Sequence, residues 1–370
     1  MRIILTGGIT GGHIYPALAI GDKFKEMDPE CEILYIGNER GMENEIVPKH
    51  GFPLEIVPSK AVDRSNVFKM AETLAVTGRG KSQTYRIMKK FRPDIVISTG
   101  SYVSVPVVLA AHKYGAKVFI HEQNAYPGMA NRFLSQYAEK VFLGFEDAGK
   151  FFKQNRKLQY SGNPVRKDFY GKDKKESRKL LGIPEDDFVI MTFGGSQGAT
   201  AINDTAIELI RAYGDRPNVT ILFGTGKRFY DDVQHNLEVL GLSGKSNVRV
   251  SPYIQDMANT LAATDVAISR SGALSVSEIT MSGCPAIFVP SPNVTGDHQY
   301  YNAKAVVDNG GAIIVREDGD TPNRIVNILK ELLADPDIVR RMAECSLKCA
   351  PVNATDIVYE GIMDIWTKNK

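Results

Sequence analysis

Short apolar runs alternate with helical or turn-rich segments along almost the whole chain, and this alternation constrains the fold more than any other feature. Runs of the first series lie at 2–5, 32–36, 54–57, 94–98, 117–120 and 140–143. Runs of the second series lie at 188–193, 219–223, 247–250, 266–268 and 286–289. Strands separated by helices pair in parallel. The sequence therefore predicts an α/β protein with two Rossmann-like, doubly wound parallel sheets.

The chain has 370 residues, which is too long for one typical core and suits two domains facing across a cleft. A charged, strand-free stretch at 167–179 follows the first series of runs. We therefore expect an N-terminal domain at 1–164 and a C-terminal domain at 165–350. Residues 351–370 form an amphipathic pattern with Val358 and Ile362, which predicts a helix that packs back on the first domain.

Composition excludes several classes of protein. The net charge is +2, so no general attraction to nucleic acid is expected. No apolar run approaches the roughly 20 residues of a membrane-spanning helix, and the first apolar run is too short for a signal peptide. The four cysteines show no CxxC spacing. We expect a cytoplasmic protein without disulfides or zinc.

Glycine-rich or polar turns follow three strands of the first series. The first turn, at 6–13, ends in His13 at the start of a helix, and it lacks the GxGxxG spacing of dinucleotide sites. Gly100 and Tyr102 follow the fourth strand, and the residues at 121–124 follow the fifth. Ligands bind at the carboxyl ends of strands in such sheets. A lone histidine is more often structural than catalytic, but at the end of a first strand both roles stay open for His13.

In the second series, a strand at 266–268 is broken by Ser271-Gly272 before a helix that begins near Ala273. A helix N-terminus suits a phosphate, and Glu278, one turn further, suits ribose hydroxyls. A glycine turn at 194–198, a Tyr-Ile pair ending at Ile254, and a polar loop with Gln299 lie at other predicted strand ends. Taken singly, Glu278 or Gln299 is better explained as an ordinary exposed polar residue.

Between 67 and 92 an apolar helical stripe is followed by a basic segment. Phe68 and Leu74 belong to the stripe, and no acidic residue occurs from Thr73 to Arg92. Apolar residues beside basic charge favour contact with an anionic membrane surface. A core-facing helix followed by a solvated basic helix explains the pattern equally well.

Seven motifs occur in order: the TGG-GH-like loop, HEQN, GNPVR, GGSQG, YIQDM, SRSGALSVSE and DHQYYNA. Over the whole chain they resemble the MurG family, inverting and metal-independent N-acetylglucosaminyltransferases of peptidoglycan synthesis with the GT-B fold. That family moves GlcNAc from UDP-GlcNAc to the C4 hydroxyl of MurNAc in undecaprenyl-PP-MurNAc-pentapeptide (lipid I), giving lipid II. The resemblance implies no cofactor, and as partners UDP-GlcNAc, lipid I, cell-wall synthesis proteins and an anionic membrane, at its cytoplasmic face.

Carried over position by position, the resemblance implies a UDP-GlcNAc site and an acceptor side. The donor residues would be Thr10, Gly11, Gly12, Asn124, Arg166, Ser196, Ile254, Ala273, Leu274, Ser275, Val276, Ser277, Glu278 and Gln299. Gly100 and Tyr102 would lie on the acceptor side. Ile9 and Ser101 stand where the family usually has glycine, which reduces room and the freedom to adopt positive φ.

Inversion requires a base opposite the departing UDP, and His13 is the first candidate because imidazole titrates near neutral pH. Glu122 is the second candidate for this base. Other activities compatible with the sequence are a diacylglycerol glucosyltransferase, a UDP-GlcNAc 2-epimerase of the same architecture, and a sugar-nucleotide binding protein without turnover.

Overall fold

The computed structural model describes residues 1–62, 66–195 and 197–368, and for Val67 the backbone alone. The chain divides into two compact units. Unit 1 comprises Met1–Val165 together with Pro351–Lys370, and unit 2 comprises Arg166–Ala350. Each unit contains one parallel sheet with helices connecting its strands.

Within the described residues of unit 1, seven parallel strands pair in the order β3-β2-β1-β4-β5-β6-β7. The strands are β1 (Arg2–Thr6), β2 (Glu32–Gly37), β3 (Leu54–Ile56), β4 (Ile95–Ser98), β5 (Lys117–Glu122), β6 (Lys140–Leu143) and β7 (Leu158–Tyr160). The helices that connect them are α1 (Gly11–Met27), α2 (Glu43–His50), α3 (Val67–Phe91), α4 (Ser104–Tyr114) and α5 (Met129–Leu134).

The central strand β1 supplies side chains to both faces of this sheet. Ile3 and Leu5 pack with Ile14 of α1 on one face. Ile4 packs with Val107 of α4 on the other face. Alternate side chains of a strand point to opposite faces, so a continuous apolar run is what a sheet covered by helices on both sides requires.

In the part of unit 2 that the structure describes, six parallel strands pair in the order β10-β9-β8-β11-β12-β13. They are β8 (Phe188–Phe193), β9 (Val219–Gly224), β10 (Val248–Ser251), β11 (Val266–Ser269), β12 (Ala286–Phe288) and β13 (Ala312–Ile314). The helices are α6 (Lys174–Leu181), α7 (Thr200–Tyr213), α8 (Tyr230–Val239), α9 (Met257–Ala263), α10 (Ala273–Met281), α11 (His298–Val307), α12 (Thr321–Ala334) and α13 (Pro336–Lys348).

The last helix, α14 (Ala354–Thr367), belongs to unit 1 although the whole of unit 2 precedes it in the chain. Val358 and Ile362 are fully buried in the same cluster as Phe24 of α1. Lys23 of α1 forms an ion pair with Asp356, with Nζ and Oδ1 2.7 Å apart. The apolar side of α14 therefore completes the core on the side of the sheet that α1 covers.

The prediction of two doubly wound parallel sheets is confirmed. The apolar pattern does not predict β7 and β13. Each of these strands has three residues, lies at the edge of its sheet and is only partly buried. A short, half-exposed edge strand carries little of the apolar signal on which such a prediction depends.

The stretch from Val67 to Phe91 is one helix of 25 residues, α3. Its first half does not pack into the core, because Phe68 is 84% exposed and Leu74 is 68% exposed. The alternative of a core-facing apolar stripe is therefore wrong for these two residues. Asn66 caps the helix, accepting the N–H of Phe68 at 2.8 Å.

Candidate functional site

The strand order of unit 1 reverses between β1 and β4, which are neighbours although about 90 residues separate them in sequence. Loops that leave the carboxyl ends of two such strands diverge to opposite faces and open a crevice. The predicted residues Thr10, Gly11, Gly12 and His13 follow β1, and Gly100 and Tyr102 follow β4. Glu122 and Asn124 lie at the end of the next strand, β5. The fold thus brings all these positions to one edge of the sheet.

His13 lies in the first turn of α1 and joins three loops. Its Nδ1 is 2.9 Å from the carbonyl oxygen of Thr99 and 3.0 Å from Oε1 of Gln123. Thr99 in turn donates its hydroxyl to the carbonyl oxygen of His13 at 2.7 Å. The imidazole is half-buried, so one edge of the ring is held by these contacts while the side chain keeps access to solvent.

Gly100 allows the β4 loop to approach this histidine closely. Its φ is +104°, and a Cβ at this position would lie 3.0 Å from Nδ2 of Asn131 and 3.3 Å from Nδ1 of His13. A side chain here would be strained and would also press on the imidazole. Tyr102, two residues further, is half-buried, and burial raises the pKa of its hydroxyl, with the charge of Glu43 adding to the effect.

Glu122 is almost completely buried and accepts four hydrogen bonds. Oε1 accepts the N–H and the side-chain amide of Asn124, at 2.9 and 3.3 Å. Oε2 accepts the N–H of Gly128 at 3.1 Å and the amide of Asn131 at 2.9 Å. A carboxylate engaged in this way stabilises the loop between β5 and α5. Asn124, a predicted donor residue, is held by it.

Sequence reasoning missed Glu43, a buried carboxylate that ties two loops together. Its Oε2 accepts the N–H of Ile9 and its Oε1 accepts the N–H of Asn38, both at 2.8 Å. A Cβ on Gly8 or Gly41 would overlap its carboxylate. The signal that could have found it is the glycine at each of these two loop positions, but that signal is meaningful only once the loops are known to be adjacent.

Ile9 and Ser101, the two departures from glycine, both adopt left-handed backbone conformations. Their φ angles are +74° and +71°. A side chain in this region costs roughly 1–2 kcal/mol, and a β-branched residue such as isoleucine tolerates it poorly. The N–H group of Ile9 still bonds to Glu43, so the turn is retained at the expense of backbone strain.

Glycine at position 101 should stabilise the protein. Ser101→Gly is expected to be more stable than Ser101→Ala by about 1 kcal/mol, because alanine keeps the Cβ that strains the left-handed backbone. Urea unfolding of the two variants beside the wild type measures this difference. The pair Ile9→Gly and Ile9→Ala repeats the comparison at the first turn. Equal stability of the glycine and alanine variants at both positions would contradict the assigned strain.

In unit 2 the strand order reverses between β8 and β11. The glycine turn after β8 has positive φ at Gly195 (+83°) and at Gly198 (+75°). A Cβ on Gly198 would overlap the carbonyl oxygen of Thr225, so glycine is required there. Ser196, the predicted donor residue of this turn, lies outside the residues that the structure describes.

Helix α10 begins directly after β11, at the other side of this reversal. Gly272, in extended conformation, precedes its first turn, where backbone N–H groups lack partners within the helix. The hydroxyl of Ser271 is buried beside this turn and has no hydrogen-bond partner among the described residues. A phosphate at the N-terminus of α10 would accept hydrogen bonds from these N–H groups.

The predicted donor residues on α10 lie on two faces of the helix, one buried and one partly exposed. Ala273, Val276 and Ser277 are buried, and Ser277 donates its hydroxyl back to the carbonyl oxygen of Ala273 at 2.9 Å. Leu274 and Ser275 keep partly exposed side chains, as does Glu278. The buried residues can therefore contribute to a ligand only through the backbone.

Glu278 is the titratable group of this site. Its side chain is 22% exposed, and Oε1 lies 3.9 Å from Nε of Arg166. Burial raises the pKa of the carboxyl from 4.5 to about 7, although Arg166 lowers it and Asp168 raises it further. Because this pKa lies near neutral pH, the carboxyl group can release a proton when it accepts hydrogen bonds from a ligand.

Gln299 and Ile254 are at strand ends of the same sheet. Oε1 of Gln299, in the first turn of α11, accepts the N–H of Ser291 at 2.9 Å and so holds the loop after β12. Ile254 follows β10 and covers the end of β9, where a Cβ on Gly224 would lie 2.9 Å from its Cδ1. Both residues are half-buried.

No cluster of three or more histidine, cysteine or carboxylate side chains that could hold a metal ion occurs among the described residues. Across 1–62, 66–195 and 197–368, no helix is long and apolar enough to span a membrane.

Residues 3–143 match the model of the glycosyltransferase family 28 N-terminal domain, and residues 189–357 match that of the C-terminal domain. A relative from Caldicellulosiruptor saccharolyticus is 39% identical over 355 residues, which are 96% of this chain and 95% of the relative. The chain belongs to glycosyltransferase family 28. Its relative in that family is named "UDP-N-acetylglucosamine--N-acetylmuramyl-(pentapeptide) pyrophosphoryl-undecaprenol N-acetylglucosamine transferase".

Solved structures agree with this family 28 assignment. The crystal structure of Acinetobacter baumannii MurG is 29% identical, with a TM-score of 0.79 over 98% of this chain and 99% of that one. A UDP-GlcNAc 2-epimerase from Neisseria meningitidis, solved with UDP-GlcNAc, has a TM-score of 0.70 over 98% of this chain and all of its own. The epimerase is only 16% identical and shows the shared fold alone.

Proposed function

We propose that this protein transfers GlcNAc from UDP-GlcNAc to the C4 hydroxyl of MurNAc in lipid I and so forms lipid II for peptidoglycan synthesis. The observation that carries the proposal is the relative of that named activity, 39% identical along 96% of the chain. The protein is a transferase, and the relative's name supplies both substrates, a nucleotide sugar and a pyrophosphoryl-undecaprenol acceptor.

The donor roles follow from the chemistry of unit 2. The N–H groups at Leu274 and Ser275, with Ser196, would hold the pyrophosphate, because a helix N-terminus attracts anions. Glu278 would accept the ribose hydroxyls, Ile254 would bind the uracil through its backbone, and Gln299 would contact the sugar. A pyrophosphate held by N–H groups can leave without a metal ion. Turnover is therefore expected to persist in the presence of a chelator.

The acceptor roles belong to unit 1. Between the two candidate bases the contacts favour His13, because it is half-buried and keeps solvent access. Glu122 is 1% exposed, and both of its oxygens already accept hydrogen bonds. We assign proton transfer to His13 and the stabilisation of the adjoining loop to Glu122. Gly100 lies beside His13, and Tyr102 follows it in the same loop, on the side assigned to lipid I.

One incubation separates the candidate activities. Labelled UDP-GlcNAc is supplied with lipid I, with diacylglycerol, or without an acceptor, and the products are resolved chromatographically. Transfer to lipid I alone is expected. Label on diacylglycerol would indicate the lipid glucosyltransferase class, and conversion of the donor without acceptor would indicate an epimerase. Binding without any product would leave a sugar-nucleotide binding protein.

Helix α3 is the proposed contact with the cytoplasmic face of the cell membrane. Phe68, Ala71 and Ala75 recur at helical spacing along one exposed face, and Arg79, Arg86 and Lys90 continue that face. An exposed apolar end beside a basic end allows insertion between lipids and attraction to anionic headgroups at once. Such attachment would be peripheral.

The membrane proposal predicts salt-sensitive binding to anionic vesicles. Replacing Lys89 and Lys90 by glutamate should lower the affinity for anionic liposomes by roughly 30-fold or more, since each basic side chain contributes about 1 kcal/mol. Sedimentation with the liposomes measures this affinity. Phe68→Ser with Leu74→Ser should remove the binding that persists at high salt. The matched control is Lys330→Glu with Lys348→Glu, two exposed lysines of unit 2. Equal binding of the wild type to neutral and anionic vesicles would contradict the electrostatic part.

A further inference from the structure

A chain of hydrogen bonds runs through the buried side of the first site, from Gly162 to His13. Its first link is His121, which is fully buried and whose Nε2 lies 3.0 Å from the carbonyl oxygen of Gly162. A carbonyl can only accept, so Nε2 must carry a hydrogen. Burial lowers the pKa of His121 to about 4, so the ring is neutral near physiological pH. Its Nδ1 is therefore an acceptor.

The second link is the side-chain amide of Gln123. One end of this amide lies 2.9 Å from the carbonyl oxygen of His121 and 3.0 Å from Nδ1 of the same residue. Both of these atoms are acceptors, so the end that faces them must be the NH₂ group, which has two hydrogens to donate. The orientation of the amide is thereby determined by chemistry, and its Oε1 must face the other way.

The third link is His13. Its Nδ1 is within 3.0 Å of two atoms, Oε1 of Gln123 and the carbonyl oxygen of Thr99. Both atoms only accept, so Nδ1 of the neutral ring carries the hydrogen and Nε2 carries the free lone pair. If the amide of Gln123 rotated by half a turn, its NH₂ group would face Nδ1 and favour the opposite tautomer.

We propose that His121 and Gln123 are positioning residues that hold His13 in the Nδ1–H tautomer, so that Nε2 is the atom that accepts a proton. The catalytic consequence rests on the proposed role of His13 as base. The acceptor hydroxyl passes its proton to Nε2, and its oxygen lone pair forms the bond to the anomeric carbon. The bond from that carbon to the phosphate oxygen breaks, and UDP leaves with the electron pair. While the ring is charged, Nδ1–H still donates to Oε1 of Gln123 and to the carbonyl oxygen of Thr99.

The tautomer can be measured directly by NMR of protein labelled with ¹⁵N at histidine. The chain has six histidines, and the signals that disappear in His13→Gln identify His13. At a pH where the ring is neutral, Nδ1 is expected to show the shift of a protonated nitrogen and Nε2 that of an unprotonated one. The reverse assignment in the wild type would overturn the proposal, whatever the variants do.

Two variants of His121 separate positioning from folding. His121→Asn can place its amide oxygen where Nδ1 was and still accept from Gln123, whereas His121→Gln extends its amide to the place of Nε2 and leaves Gln123 without that acceptor. We expect His121→Gln to lower kcat by about 10- to 100-fold, less than the roughly 10,000-fold that a wrong tautomer costs a serine protease, because Thr99 remains in place. His121→Asn should lower kcat by a clearly smaller factor than His121→Gln. The KM for UDP-GlcNAc should stay unchanged in both.

Gln123→Met keeps the length of the side chain and removes both of its hydrogen-bonding ends, so it serves if either His121 variant fails to fold. It should lower kcat, leave KM for the donor unchanged, and shift the His13 signals towards the other tautomer. Equal losses in both His121 variants with unchanged His13 signals would show a purely structural role and overturn the proposal. If the proposed transferase activity is wrong, no transfer to lipid I will be observed, although His13 shows the expected tautomer.

Discussion

Replacing His13 by alanine is expected to lower kcat with lipid I by about 100- to 10,000-fold, the usual contribution of a general base. The affinity for UDP-GlcNAc should change little, because the phosphate and ribose contacts assigned to the donor lie in unit 2. The structural reason is that the held edge of the imidazole contacts Thr99 and Gln123, which leaves Nε2 for the acceptor hydroxyl. Steady-state kinetics at saturating lipid I and calorimetry with UDP-GlcNAc measure the two effects separately.

The matched control for this experiment is His235→Ala, which removes an exposed histidine of α8 and should keep full turnover. If His13→Ala keeps near-normal turnover at saturating lipid I, a group other than His13 acts as the base. Glu122→Gln would then be the next variant, although the hydrogen bonds to its carboxylate make a loss of loop structure the expected result there.

Removing the carboxylate of Glu278 should affect the donor instead. Glu278→Ala is expected to weaken UDP-GlcNAc binding by about 1–3 kcal/mol, or roughly 5- to 150-fold, because two ribose hydroxyls lose a charged acceptor. Calorimetry measures the affinity directly. Donor affinity equal to that of the wild type would refute the assignment of the ribose to Glu278.

The raised pKa of Glu278 adds a dependence on pH with a definite sign. Without donor the carboxyl has a pKa of about 7, and hydroxyl donors favour its ionised form, so binding lowers that pKa and releases a proton. Affinity is therefore retained above pH 7 and falls as the pH decreases below it, by at most about tenfold per pH unit. Glu278→Gln should bind weakly and without this dependence. Titrations between pH 6 and 8 in two buffers of different ionisation enthalpy would count the released proton.

Much of the fold and part of the site follow from local patterns. Polar or glycine residues that directly follow apolar runs predict the turns at His13 and Gly100 and the N-terminus of α10. The network through Gln123 could not be predicted in the same way. It joins side chains 110 residues apart, and its meaning depends on which amide end faces which ring.

The apolar stripe at the start of α3 shows a different limit. Phe68 and Leu74 recur at helical spacing, which is equally typical of a helix that faces a core and of one that faces a membrane. Only their exposure, 84% and 68%, distinguishes the two cases. Glu43 shows a third limit, because a carboxylate near glycines has no recognisable pattern until the chain has folded around it.

The position of α14 has a consequence for the order in which the protein folds during synthesis. Val358 and Ile362 complete the core on the side of the sheet that α1 covers, so unit 1 cannot finish folding until these residues have left the ribosome. Unit 2 is continuous from Arg166 to Ala350, and all of its core residues emerge earlier. Domains commonly fold in the order of their synthesis, N-terminal first. Here the nascent chain would complete unit 2 first, and unit 1, with the proposed membrane contact, would complete its fold last.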